Sequence, residues 1–115
     1  MRAYQFPALG PPAALVDLPA PDPGPGQIRL AIAACGLNFA DLLMADGTYQ
    51  DTPEAPFVLG MEVAGIVEAV GDGAPTEWIG KRVAVFGGSG GLAEAGCFDA
   101  ARAVEVPETM PFETA

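Results

Sequence analysis

The side chains of this 115-residue sequence that could do chemistry fall into a few groups. Asn38, Phe39, Asp41 and Tyr49 lie close together in the chain. An amide, a carboxylate and a phenol can donate or accept hydrogen bonds, and a phenol can also pass a proton. By type and spacing alone they read equally well as a helix cap, an exposed charge and a loop aromatic. Cys35 follows an apolar stretch and precedes Gly36. With no cation or base beside it in sequence, it reads as a structural thiol rather than a nucleophile. Glu62 sits between Met61 and Val63. Two readings stay open for it: a solvent-facing strand residue, or a half-buried carboxylate holding backbone donors near a site.

The glycine run carries two formal motifs. Gly88-x-Gly90-x-x-Ala93 is a loose dinucleotide fingerprint, and Gly87-x-Ser89-x-Gly91 is a nucleophile-elbow pattern. The first works only where a strand runs into a helix, whereas residues 92–98 read as a strand. The second needs a histidine, and the sequence has none. The run therefore reads as a mobile hairpin loop. Absence of histidine also excludes a Ser-His-Asp or Cys-His site built from this chain alone, and removes the commonest zinc ligand. Cys35 and Cys97 form no CxxC pair, so a structural zinc is not expected, and both read as reduced thiols of a cytoplasmic protein.

The elements that must position these groups are short. Half of the residues are hydrophobic, enough for a packed core in one domain spanning residues 1–115. The 15 glycines and 12 prolines are spread among apolar runs, which favours short elements joined by tight turns. Strands are expected at 2–6, 14–18, 27–34, 62–70, 82–86, 92–98 and 102–106, with prolines and glycines over 19–26 as an exposed connection. In the clearest of them, Ile28, Leu30, Ile32 and Ala34 share one face. Asn38 is the expected N-cap for a short helix over 39–45. Gly65, inside a strand, signals a bulge or a close backbone approach. Residues 109–115 read as the first turn of a helix whose body does not follow, so the chain is expected to be a fragment. About six to eight short strands form a barrel or sandwich, and long crossovers for a parallel sheet are missing.

Five basic against 15 acidic residues give a net charge of −10. Such a surface repels nucleic acid, anionic membrane faces and the phosphates of a free nucleotide. There is no basic-then-apolar leader pattern and no run near the roughly 18 apolar residues of a membrane span.

Three stretches carry a resemblance. Pro23-Gly24-Pro25-Gly26-Gln27, Ala34-Cys35-Gly36-Leu37-Asn38-Phe39-Ala40-Asp41-Leu42 and the run from Gly60 through Met61, Glu62 and Gly65 to Gly71 resemble one family. It is the N-terminal GroES-like domain of the medium-chain dehydrogenases/reductases, in the quinone oxidoreductase branch, with the vesicle amine transport protein subgroup close by. Leu92-Ala93-Glu94 and residues 107–113 continue the likeness, which covers nearly the whole chain. The resemblance implies a mainly β, partly open GroES-like barrel with one or two short helices. In the zinc alcohol dehydrogenases of that superfamily a Cys and a His bind the catalytic metal. Asn38 and Met61 stand at those positions here, which implies a zinc-independent member. Such a chemistry suits acceptors that are already electrophilic, namely quinones and α,β-unsaturated carbonyls, reduced with NADPH.

The resemblance further implies that a Rossmann domain following residue 115 carries the phosphate loop, and that the nicotinamide lies between the two domains. Asn38, Asp41 and Tyr49 would act in catalysis, and Asn38, Phe39 and Asp41 would touch the cofactor. Leu43 stands where some relatives carry a second Tyr. The chain alone would be inactive, and the parent would dimerise through the cofactor domain. The alternative is a non-enzymatic binding or regulatory member of the same fold. A free-standing co-chaperonin-like barrel is a third reading.

Overall fold

The computed structural model describes residues 1–6, 14–41 and 57–115. Among the described residues there are eight strands: β1 (Arg2–Phe6), β2 (Ala14–Asp17), β3 (Gln27–Gly36), β4 (Phe57–Val58), β5 (Glu62–Val70), β6 (Arg82–Phe86), β7 (Ala95–Asp99) and β8 (Ala103–Glu105). They form two antiparallel sheets, β2-β1-β4 and β7-β3-β5-β6-β8. The short segment 92–94 ties the sheets together. Tyr4 N–H donates to the Leu92 carbonyl at 2.8 Å, and Ile32 N–H to the Glu94 carbonyl at 2.9 Å. The result is a mainly β, partly open barrel, as the sequence led one to expect. Among the described residues no helix is long and apolar enough to cross a membrane.

Alternation explains most of the core. Ile28 and Leu30 of β3, Val63 and Val67 of β5, Val83 and Val85 of β6, and Phe98 of β7 close on one another. Burial of such side chains is the main favourable term in folding, at about 25 cal/mol per Å² of apolar surface. The alternation expected along residues 27–34 holds through Ile32 and then fails. Ile32 pairs with Gly65 and Ala34 with Ala64, so Ala33 is an extra residue in β3. This bulge shifts the parity by one, and Cys35, rather than Ala34, packs against the core. Gly65 faces the bulge. A Cβ there would collide with the Ala31 carbonyl oxygen, so the close approach inferred from its place in a strand is real.

Two further differences have clear causes. The strand expected over 92–98 begins only at Ala95, because residues 92–94 cross between the sheets, with one bridge from Ala93 to Ala3. The glycine run is not a loose hairpin loop. The amides of Gly87 and Gly88 donate to the Met61 carbonyl, those of Gly90, Gly91 and Leu92 to Val58, Gly60 and Leu59, all at 2.8–3.1 Å. Glycine is needed there for space: a Cβ on Gly91 would sit 2.6 Å from Val63 Cγ1, and one on Gly87 would overlap the Phe98 ring. Residues 112–114 form a 3-10 turn, where a helical first turn was expected.

Candidate active site

Beyond β3 the chain turns through Leu37 and Asn38 into helical residues 39–41. Asn38 is where a cap was expected, but the capping side chain is that of Asp41. Its Oδ2 accepts the Asn38 backbone N–H at 2.8 Å, the returning half of a capping box. Its Oδ1 accepts the Gly60 N–H at 3.3 Å. Asp41 is only 3% exposed, so this one carboxylate pins the start of the helix to the strand-like segment before β5. Gly60 has φ +102°, and a Cβ there would lie 2.7 Å from both Cys35 Sγ and the Leu92 nitrogen.

Asp41 rather than the Asn38 side chain thus supplies the carboxylate that caps this turn. Asn38 Nδ2 is buried and has no hydrogen-bond partner among the described residues. Asn38, Phe39 and Asp41 line a cavity of about 480 Å³ together with Tyr4, Phe6 and Leu59. Beneath it Phe6, Phe57, Leu59 and Met61 form a second apolar cluster, with the Phe6 and Phe57 rings stacked at 5.5 Å. Phe39 and Leu37 stand 74% and 73% exposed at the rim. A mostly apolar hollow with an amide donor unpaired among the described residues suits an apolar molecule that carries an oxygen acceptor.

Asn38, Phe39 and Asp41 are thus brought together, whereas Tyr49 and Leu43 lie outside the described residues. Tyr4 and Leu59 also line the cavity and were not singled out from sequence. The available signal was the spacing of Tyr4 and Phe6 on β1, two aromatics on one face of a strand. Met61 is 5% exposed, inside the apolar cluster. Among the described residues no three His, Cys, Asp or Glu side chains are grouped to hold a metal. Glu62 is exposed, the solvent-facing alternative, and its carboxylate lies against Gly36.

Cys35 behaves as a structural thiol. Burial first, then the negative charges of Asp41 and Glu62, push its pKa up to about 11. Its Sγ is 3.5 Å from the Gly36 carbonyl oxygen. Burial also raises Cys97. Neither thiol is activated.

Comparison with known proteins finds relatives along most of the chain. The alcohol dehydrogenase GroES-like domain family matches residues 24–108. The synaptic vesicle membrane protein VAT-1 homolog of Rattus norvegicus is 46% identical over 95 residues, which is 83% of this chain and 24% of that protein. The quinone oxidoreductase-like protein 2 homolog of Nematostella vectensis is 37% identical over 116 residues, 99% of this chain and 32% of that protein. The quinone oxidoreductase of Thermus thermophilus, solved also in complex with NADPH, superposes with a TM-score of 0.82 at 38% identity, covering 97% of this chain and 34% of that one. The chain therefore spans between a quarter and about a third of the length of these relatives.

Proposed function

Because the chain belongs to the alcohol dehydrogenase GroES-like domain family, in the quinone oxidoreductase branch of the medium-chain dehydrogenases/reductases, we propose that it is the substrate-side domain of a zinc-independent, NADPH-dependent reductase of quinones or α,β-unsaturated carbonyls. The observation that carries this reading is Asn38 Nδ2, a buried, unpartnered donor on the wall of an apolar cavity. Such a donor costs about 1–3 kcal/mol while unpaired, a cost that a ligand oxygen removes. Bound NADPH would supply the hydride. Asn38 would donate to an oxygen that gains negative charge, and its amide is pre-set because Asp41 fixes the backbone that carries it. Phe39 offers an exposed ring against which a planar group can pack. Asp41, with both oxygens engaged, acts as a positioning residue rather than a direct contact. Tyr49 is proposed as the donor of a proton or hydrogen bond to the reduced product.

The donor chemistry supports a zinc-independent site. Asn38 offers an amide, and the Met61 thioether is packed among Phe6, Phe57 and Leu59. Neither is a good Zn²⁺ ligand. The cofactor phosphates are assigned to a Rossmann domain in the rest of a longer parent protein. In support, the amides of Gly87, Gly88, Gly90 and Gly91 are already hydrogen-bonded within this fold. A cytoplasmic parent fits the two free thiols, and dimerisation is assigned to that second domain.

The test is Asn38→Ala in the full-length parent. kcat/KM for a quinone should fall about 10²–10³-fold, the usual loss for one oxyanion donor. NADPH affinity, measured separately, tells whether Asn38 acts through the cofactor. Unchanged kcat/KM on every quinone and enone tried would overturn the reading. The 46% identity to a protein named for synaptic vesicles favours a second reading, a binding member of the fold without turnover. NADPH binding by the parent without oxidation on a quinone panel would establish it.

A further inference from the structure

The wall of the hollow beside Asn38 includes a phenol, that of Tyr4. Tyr4 and Phe6 lie two apart on β1, so their side chains leave the strand on the same face. Phe6 pairs with Phe57 of β4 and belongs to the apolar cluster beneath the hollow. The Tyr4 backbone is fixed twice, by its place opposite Leu15 of β2 and by its N–H bond to the Leu92 carbonyl. At 41% exposure the residue also keeps contact with water.

The other described groups on that wall are poorly suited to pass a proton. Phe6, Leu37, Phe39 and Leu59 are apolar. The Asn38 amide can donate a hydrogen bond but holds its protons. Both Asp41 oxygens are engaged by backbone N–H groups. A phenol can donate a hydrogen bond and then the proton itself.

We propose that Tyr4 donates its hydroxyl proton to the acceptor oxygen that Asn38 also binds. This rests on the acceptor reading above and gives the hollow a proton donor beside the one proposed for Tyr49. Hydride supplied by NADPH bonds to the β carbon of an α,β-unsaturated ketone, and the displaced electron pair comes to rest on the carbonyl oxygen. The Tyr4 O–H bond then breaks, its proton bonds to that oxygen to give the enol, and the phenolate regains a proton from water. A quinone is reduced to a hydroquinone anion, a weaker base than an enolate, so it depends less on the donor.

Two readouts test this. The 115-residue chain is titrated with cyclohexenone and with duroquinone, followed by its amide signals in NMR. Tyr4→Phe keeps the ring and removes only the hydroxyl. Its dissociation constants should rise about two- to tenfold, the scale of one neutral hydrogen bond. The full-length parent is then assayed with NADPH. In Tyr4→Phe, kcat/KM for the enone should fall about 10²–10⁴-fold, the usual loss of a general acid, and clearly further than for the quinone. An equal loss on both acceptors makes Tyr4 a structural residue and overturns the proposal. Unchanged binding and kinetics in Tyr4→Phe, while Asn38→Ala still weakens binding, overturn it too and leave the acceptor reading standing. No binding of either compound to the chain, with no turnover of either by the parent, overturns the acceptor reading and the Tyr4 assignment with it.

Discussion

The carboxylate of Asp41 illustrates how much one residue decides here, since it joins Asn38, three positions before it, to Gly60, 19 positions after it. Gly60 is the tighter constraint of the two. At φ +102° and against Cys35 Sγ and Leu92, it has no room for a side chain. Gly60→Ala should lose about 2–5 kcal/mol from overpacking and backbone strain together. Gly73→Ala is the control: its φ is +82°, but nothing lies within 4 Å of the added Cβ. It should cost about 1–2 kcal/mol, the left-handed penalty alone. Urea midpoints at unchanged m value measure both. Cys35 sets an alkaline limit. Its thiol ionises near 9.0 when unfolded but only at about 11 in the fold, chiefly because it is buried. Below pH 9 both states hold the proton and the group is neutral to stability. Between pH 9 and about 11 the unfolded chain releases it first, so stability should fall as pH rises. The raised Cys97 acts in the same direction. Thiolate absorbance near 240 nm should show Cys35, isolated in a Cys97→Ser variant, titrating close to pH 11, and a midpoint near 9 would contradict this.

At the scale of elements, the segment after β8 is fastened by β6. Arg82 donates from Nη2 to the Met110 carbonyl at 2.6 Å, and its guanidinium lies 3.8 Å from the centre of the Phe112 ring. The charged hydrogen bond contributes about 1.5–3 kcal/mol and the cation–π contact about 0.5–2 kcal/mol. Phe112 thereby closes a small hollow of about 190 Å³ over Cys35, Gly36 and Glu62. Arg82→Met should free residues 107–115 while leaving the sheets intact. Amide exchange should then accelerate at Met110, Thr114 and Ala115, whose N–H groups are hydrogen-bonded within this segment. Exchange in β3 and β5 should stay as slow as in the parent. Uniform acceleration across both sheets would mean that Arg82 supports the core rather than the segment.

At the scale of the molecule, the net charge of −10 and the internal use of the glycine amides both work against phosphate binding by these residues alone. The 115-residue chain mixed with NADPH and a quinone should oxidise NADPH no faster than the uncatalysed background. Turnover clearly above background would place cofactor binding inside this domain. The same acidic surface should keep the chain soluble and off DNA at physiological salt, which a retention measurement on heparin checks.

The sequence by itself determined which segments become strands. Period-2 runs of Ile, Leu and Val can bury one face only as strands, and proline or glycine at their ends sets the turns. β1, β5 and β6 begin and end where those patterns do. Asn38, Phe39 and Asp41 were legible as a group because they are neighbours in the chain. Tyr4 was not, because it reaches the same cavity from a strand far earlier in the chain. Nor was the Ala33 bulge, which trades Ala34 for Cys35 in the core. Tertiary structure alone decided the state of the glycine run. Two glycine pairs around Ser89 read as freedom in a chain taken by itself. Laid against Val58, Leu59, Gly60 and Met61, with Phe98 and Val63 pressed on Gly87 and Gly91, the run has no space for larger residues at those two positions, and its glycine amides are held. The reason is the same throughout: local pattern fixes the conformation of a segment, while close packing between distant segments fixes which side chains meet.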